Sequence, residues 1–280
     1  MVVFPNIKIN IGLSVTGKRP DGYHNIESVM IPVPWTETLE VTDRSPNPMT
    51  SPISSGKVDF YSYGQFIPGE VQSNLCIRIF HLLEEWFNLP RVDIHLLKTL
   101  PIGAGLGGGS ADAAFCLRAL KEFFDLTLSD LEAEQLLSKI GSDCPFFWDN
   151  KPVFAFGTGN EMRPINLDLF GTWITIIHPK INISTKEAYE GIVPKPSVID
   201  LELLPSLPMD SWKDVIVNDF EHSLFPTYPV LPSIKSELYD QGATYASMSG
   251  SGSAIYGLFN TKPPITPQTW SDFTVWQGQL

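Results

Sequence analysis

A chain of 280 residues with 43% hydrophobic side chains can bury a large core, as one large domain or two modest ones. Its 31 acidic against 19 basic residues leave a formal net charge of −12, which excludes the broad positive surface that nucleic acid or an anionic membrane demands of a partner. No run of about 18 apolar residues could span a bilayer, the N-terminus lacks the regions of a secretory leader, and Cys76, Cys116 and Cys144 stand singly in apolar runs, so a soluble cytoplasmic protein with neither disulfide framework nor C-x-x-C zinc site is expected.

From Phe4 to Val15 the apolar residues Ile7, Ile9, Ile11, Leu13 and Val15 alternate with Asn6, Lys8, Asn10, Gly12 and Ser14. Period two predicts a strand with one buried face, and Lys8 and Asn10 share the other. Pro20-Asp-Gly22 predicts a turn, and strands follow around His24–Pro32 and Glu37–Thr42. The Pro- and Ser-rich stretch 45–56 reads as a loop. Helices are expected at Asn74–Phe87, Ser110–Phe124 and Ser129–Ile140, with a strand at Val92–Leu97. Ser129 and Glu132 form a capping box, and Gly141 ends that helix. Strands are expected at Val153–Phe156 and Trp173–His178, and a second capping box, Ser184 with Glu187, opens a helix at Ala188 and Tyr189. The proline-rich stretch Pro194–Pro208 predicts an irregular surface excursion; helices near Asp210–Leu224 and Pro232–Gln241 precede a Ser249–Gly252 turn and the strand Ala254–Phe259. Strands and helices mix without strict βαβα alternation, so α+β in two layers is the fold class expected.

The segment Pro101–Ala114 carries the clearest chemistry: Gly103, Gly105, Gly107, Gly108 and Gly109 lie between an apolar strand and a helix start. Without Cβ atoms their N–H groups can close on a polyphosphate, and the helix N-terminus adds free amides from Ser110 onward. A mere connection need not carry that many glycines, each costing roughly 0.5–1 kcal/mol of backbone entropy. Gly103–Gly108 also fits G-x-G-x-x-G, but the region about 20 residues on is helical in pattern where a dinucleotide fold needs a strand ending in an acid. Gly12–Lys18 fits most of a P-loop, yet Arg19 stands where a Mg²⁺-holding hydroxyl belongs and Pro20 blocks the helix.

Beside this loop, Lys8 could neutralise charge developing on a phosphate, and Asp143, in Gly141-Ser-Asp-Cys-Pro145, is the residue type that accepts a substrate hydroxyl proton. For Asp143 the competing reading is an Asx-turn before proline. Tyr23 and His24 pair at a loop-to-strand junction, and Tyr189 could stack on a base or simply pack. Ser249-Gly-Ser-Gly252 is a hairpin turn or a second wall of a nucleotide site.

In this order, the Lys8/Asn10 strand, Pro101–Ala114, Gly141–Pro145 and Met248–Gly252 resemble the GHMP small-molecule kinases. Pro20–His24, Gly141–Phe147 and Asn218–Glu221 look like those members that phosphorylate a cytidine diphosphate derivative in isoprenoid precursor synthesis. The resemblance runs from about Asn6 to Phe259. It implies a GHMP kinase fold: an ATP-binding domain over 1–152, like domain 2 of ribosomal protein S5, and a ferredoxin-like substrate domain over 153–280. It implies ATP and Mg²⁺, direct transfer to a tertiary hydroxyl without a covalent intermediate, and a monomer or homodimer. Carried over by residue, Asp143 would be the base, Lys8 would hold and polarise it, and Asn10 would orient the substrate. Pro101, Gly103, Gly105, Leu106, Gly107, Gly108, Gly109 and Ser110 would bind the ATP phosphates, Ser110 also the metal, and Asn74 would approach adenine. Tyr23 and Tyr189 would sandwich cytosine with His24 on its edge, and Gly250, Ser251 and Gly252 would close the substrate side. The family's usual second loop serine is Ala111 here. A homoserine or mevalonate type of kinase and a non-catalytic nucleotide-binding homologue are the alternatives.

Overall fold

The computed structural model, which describes residues 1–45, 51–264 and 270–280, turns the alternating N-terminal segment into a long strand, β2. In chain order the elements are β1 (Val2–Val3), β2 (Asn6–Lys18), β3 (His24–Thr36), β4 (Thr38–Asp43), β5 (Ile53–Ser55), β6 (Val58–Gly64), α1 (Leu75–Glu84), β7 (Val92–Lys98), α2 (Gly108–Phe123), α3 (Asp130–Ile140) and α4 (Phe146–Asp149). They continue with β8 (Val153–Phe156), β9 (Glu161–Pro164), β10 (Trp173–His178), α5 (Thr185–Glu190), α6 (Trp212–Val215), α7 (Asp219–Leu224), α8 (Val230–Asp240), β11 (Tyr245–Met248), β12 (Ile255–Phe259) and β13 (Thr274–Gln279).

The chain forms two compact units. The first comprises Met1–Ile7, Thr36–Leu100 and Gly108–Asn150. Its sheet runs β1-β4-β7-β6-β5, with β6 and β7 parallel and the other neighbours antiparallel. Inward residues Leu39, Val41, Phe60, Ile94 and Leu96 are buried with the apolar stripes of α1 and α2, among them Ile79, Phe80, Leu117 and Leu120. α3 carries the expected capping box between Ser129 and Glu132, while Gly141 closes it in extended rather than left-handed backbone.

The second unit comprises Lys8–Trp35, Pro101–Gly107 and Lys151–Leu280. It holds a sheet ordered β2-β3-β8-β9 and another ordered β11-β12-β10-β13. Leu13, Val15, Phe220, Leu224, Leu231, Ile234, Leu238, Met248 and Ile255 share one apolar core, which the amphipathic helix α8 helps to close. The final strand β13 pairs along β10 from Trp173↔Gln279 to His178↔Thr274.

Several expectations change. The polar face of β2 is not wet: Lys8 is 4% and Asn10 3% exposed. The expected 45–56 loop contains β5, paired with β6, and its residues 46–50 lie outside the described residues. The excursion Pro194–Pro208 contains a 3₁₀ turn, Leu201–Ser206, with Leu201 and Leu204 buried. The single helix expected over Asp210–Leu224 is split at 216–218, where Val217 accepts the Leu13 N–H at 2.9 Å and Asn218 caps α7 through the Phe220 N–H. Ser184 caps α5 through the Glu187 N–H at 3.1 Å, but the Glu187 carboxylate accepts the Tyr228 hydroxyl.

Candidate functional site

The residues singled out in the sequence fall into two groups, one in each unit. In the second unit the glycine loop Pro101–Gly107 is fixed by its own carbonyls. Ala104 O accepts from Ala254 N–H at 3.1 Å, Gly105 O from Ser249 Oγ at 2.9 Å, and Leu106 O from Lys8 N–H at 2.9 Å. The side chains of Ala104 and Leu106 are buried, whereas Gly103, Gly105 and Gly107 take φ of +67°, +75° and +73°. This alternation of left-handed and ordinary backbone is the geometry of an anion-binding nest. Among the described residues no acceptor takes the N–H groups of Gly103 to Gly107.

Lys8 and Asn10 lie against the same loop. Lys8 Nζ donates to Asn10 Oδ1 at 2.5 Å, and Asn10 Nδ2 donates to Ser28 Oγ at 2.8 Å, which passes a hydrogen bond on to Gly12 O at 2.6 Å. The Asn10 N–H reaches Ser249 Oγ at 3.3 Å, and the Tyr256 hydroxyl donates to Asn10 O at 2.8 Å. Asn218 Nδ2 donates to both Met248 O and Gly250 O at 2.8 Å, pinning the turn that carries Gly250, Ser251 and Gly252. Sequence reasoning passed over Ser28 and Tyr256 as site residues, and named Ser249 only as part of the Ser249–Gly252 turn. Their signal was weak, because a lone serine or tyrosine in an apolar run carries no spacing.

The aromatic residues of this unit are only partly assembled. His24 stacks on Tyr189 with ring centroids 4.6 Å apart and 17° between planes, and Tyr189 meets Phe220 edge-on at 4.8 Å. Tyr23 is 68% exposed, its N–H donating to Asp21 Oδ1.

In the first unit α2 begins at Gly108, two residues before its expected start, so Gly108, Gly109, Ser110 and Ala111 contribute the amides of its first turn. Ser110 hydrogen-bonds the thiol of Cys144, although burial dominates there and pushes that thiol up to about 11. The bond ties Ser110 to the turn that presents half-buried Asp143, whose Oδ1 accepts from Ser142 Oγ at 3.3 Å. Arg78 stabilises the same turn from behind, donating to the α3 carbonyls of Lys139 at 3.2 Å and Ile140 at 3.4 Å. Among the described residues no three His, Cys, Asp or Glu side chains are grouped to hold a metal ion.

Asn74 caps α1, its Oδ1 accepting from the N–H groups of Cys76 at 2.9 Å and Ile77 at 3.4 Å. Asn74→Ala is therefore expected to lower stability by about 0.5–2 kcal/mol in urea unfolding. Unchanged stability together with lost ATP affinity would instead make it a nucleotide contact.

Residues 74–157 match the family model described as the GHMP kinases N terminal domain, and residues 199–265 match GHMP kinases C terminal. The 4-diphosphocytidyl-2-C-methyl-D-erythritol kinase of Bacteroides thetaiotaomicron is 46% identical over 96% of both chains, and that of Cytophaga hutchinsonii is 47% identical over 94% of both. A crystal structure of 4-(cytidine 5'-diphospho)-2C-methyl-D-erythritol kinase superposes with a TM-score of 0.80 at 28% identity, covering 99% of this chain and 98% of the other. The Methanococcus jannaschii mevalonate kinase, at 12% identity and a TM-score of 0.68 over 99% of this chain and 97% of its own, shares the fold.

Proposed function

The chain belongs to the GHMP kinase family and has its α+β fold, which makes it an ATP-dependent small-molecule kinase, and we propose that its acceptor is 4-diphosphocytidyl-2-C-methyl-D-erythritol, in isoprenoid precursor synthesis. The observation that carries the phosphate part of this reading is the loop Gly103–Gly107, with carbonyls engaged by the protein and amides that have no acceptor among the described residues. The acceptor rests on the relatives' names and on the aromatic pair of His24 and Tyr189.

In this reading Pro101, Gly103, Gly105, Leu106, Gly107, Gly108, Gly109 and Ser110 bind the ATP phosphates through loop amides and the first turn of α2. The tertiary hydroxyl of the erythritol forms a bond to the γ-phosphorus in line with the breaking bond to the β–γ bridging oxygen, and ADP leaves. Asp143 accepts the hydroxyl proton. Lys8 holds and polarises Asp143 and offsets negative charge on the transferring group, and Asn10, whose Oδ1 accepts from Lys8 Nζ, orients the substrate. Since no three His, Cys, Asp or Glu side chains are grouped among the described residues, Mg²⁺ would be held chiefly by phosphate oxygens and water, with the Ser110 hydroxyl as its protein ligand. When bound it neutralises phosphate charge. Tyr23 and Tyr189 clamp the cytosine with His24 at its edge, an arrangement in which the base takes the Tyr189 face that His24 stacks on here at 4.6 Å, and Gly250, Ser251 and Gly252 close the substrate side.

The aromatic clamp is tested by Tyr189→Ala. Calorimetric titration should show the cytidylylated substrate binding about 1–3 kcal/mol more weakly, as base stacking on a protein aromatic is worth, with ATP affinity unchanged. Equal affinity for that substrate in wild type and variant would discard the clamp.

A further inference from the structure

Three buried ionisable side chains of the first unit have no part in the chemistry above. Lys98 ends β7, Glu37 precedes β4, and Asp112 stands in the second turn of α2; all belong to the first unit, and they are 3%, 3% and 4% exposed. Lys98 Nζ donates to Glu37 Oε1 at 2.6 Å and to Asp112 Oδ2 at 2.7 Å. Glu37 Oε2 accepts from the N–H groups of Thr99 at 2.9 Å and Leu100 at 3.1 Å. Burial pulls the Lys98 ammonium down, but Asp112 and Glu37 outweigh it and hold it above its usual range. Burial pushes Asp112 well above the ordinary carboxylate range, and its Oδ1 has no partner among the described residues.

Such a cluster is a poor way to stabilise a fold. Each ion costs several kcal/mol to desolvate, and well-packed apolar residues in place of a buried ionic group are often as stable or more so. Locally expensive choices of this kind are expected where a structure serves function. Glu37 grips the two residues that lead into Pro101, and Lys98 joins that grip to Asp112, just beyond the point where the chain leaves the loop at Gly108. The entry and exit also touch: a Cβ on Gly108 would lie 3.4 Å from Lys98 Nζ and 3.8 Å from Leu100 Cβ. The clasp thus joins Thr99 and Leu100 to the first two turns of α2 within the first unit, which lowers the ordering cost left to a ligand that binds that turn.

We propose that Lys98, Glu37 and Asp112 are positioning residues that hold the first turn of α2, whose amides are read above as part of the phosphate site, in the geometry that binds ATP. The inference rests on the reading of that turn as part of the phosphate site. It is tested on full-length wild type, Asp112→Ala and Asp112→Asn by calorimetric titration with ATP and MgCl₂ and, separately, with adenosine, beside thermal unfolding. Asp112→Ala should bind ATP about tenfold more weakly and adenosine as wild type does, because only the phosphates meet the displaced turn of α2. Asp112→Asn keeps an oxygen for Lys98 and should recover to within about threefold. A lower Tm with ATP affinity intact, or equal losses for ATP and adenosine, would mean a structural role alone and would overturn the proposal. Should Asp112→Ala not fold, the Lys98→Met/Asp112→Leu double variant replaces it under the same criteria. Wild type that binds no ATP would remove the phosphate-loop reading and this inference with it, whereas normal ATP binding by wild type and Asp112→Ala alike overturns the clasp only.

Discussion

Asp143→Asn is expected to lower turnover by about 10²-fold or more while ATP affinity stays within a few-fold. Asparagine has nearly the same shape and keeps an oxygen for the Ser142 hydroxyl, so the turn after α3 should persist. What it lacks is a site for the acceptor's proton, and a positioned base contributes about 10²–10⁴ to a rate. The competing Asx-turn role makes the opposite forecast of lower stability with turnover intact. Steady-state kinetics with a parallel unfolding curve separate the two, and full activity in the variant would remove Asp143 from the base role.

Gly105→Ala should be the most damaging change in the loop. Its φ of +75° disfavours any side chain, and a Cβ there would lie 2.0 Å from the Ser249 carbonyl oxygen and 3.1 Å from Gly252 N, both backbone atoms that cannot swing aside. The loop and the Ser249–Gly252 turn must part, breaking the bond from Ser249 Oγ to Gly105 O. A loss of about 3 kcal/mol or more in urea unfolding is expected, with ATP binding impaired in whatever still folds. Gly109→Ala is the control: it sits inside α2, its nearest neighbour would be Leu75 Cδ1 at 3.8 Å, and alanine favours the helix. If Gly105→Ala proved as stable as wild type, the close approach of loop and turn would be wrong.

The glycine loop was legible in the sequence because everything that defines it is local: the run of glycines, the apolar strand before it and the helix after it. The start of α2 was misjudged for the opposite reason. Gly108 and Gly109 are poor helix formers, and Gly108 joins the helix where it packs on Lys98 and Leu100, ten and eight residues earlier in the chain. Period two in β2 told which side chains share a face but not that the second face is covered, since Ser28, Ser249 and Tyr256 arrive from distant positions. β13 was invisible for a like reason: it is specified by pairing with β10, about a hundred residues away. The family resemblance supplied roles for Lys8, Asp143 and Tyr189, whereas the ionic clasp of Lys98, Glu37 and Asp112 emerges only from the folded chain.

The most direct measurement is ADP release by the purified protein with ATP, Mg²⁺ and 4-diphosphocytidyl-2-C-methyl-D-erythritol, run beside mevalonate, homoserine and no acceptor. ADP should form one for one with phosphorylation of the cytidylylated alcohol, and not above background with the others. Turnover of mevalonate or homoserine in its place would contradict the acceptor, and no turnover with any alcohol would contradict the kinase chemistry assigned to Asp143 and Lys8.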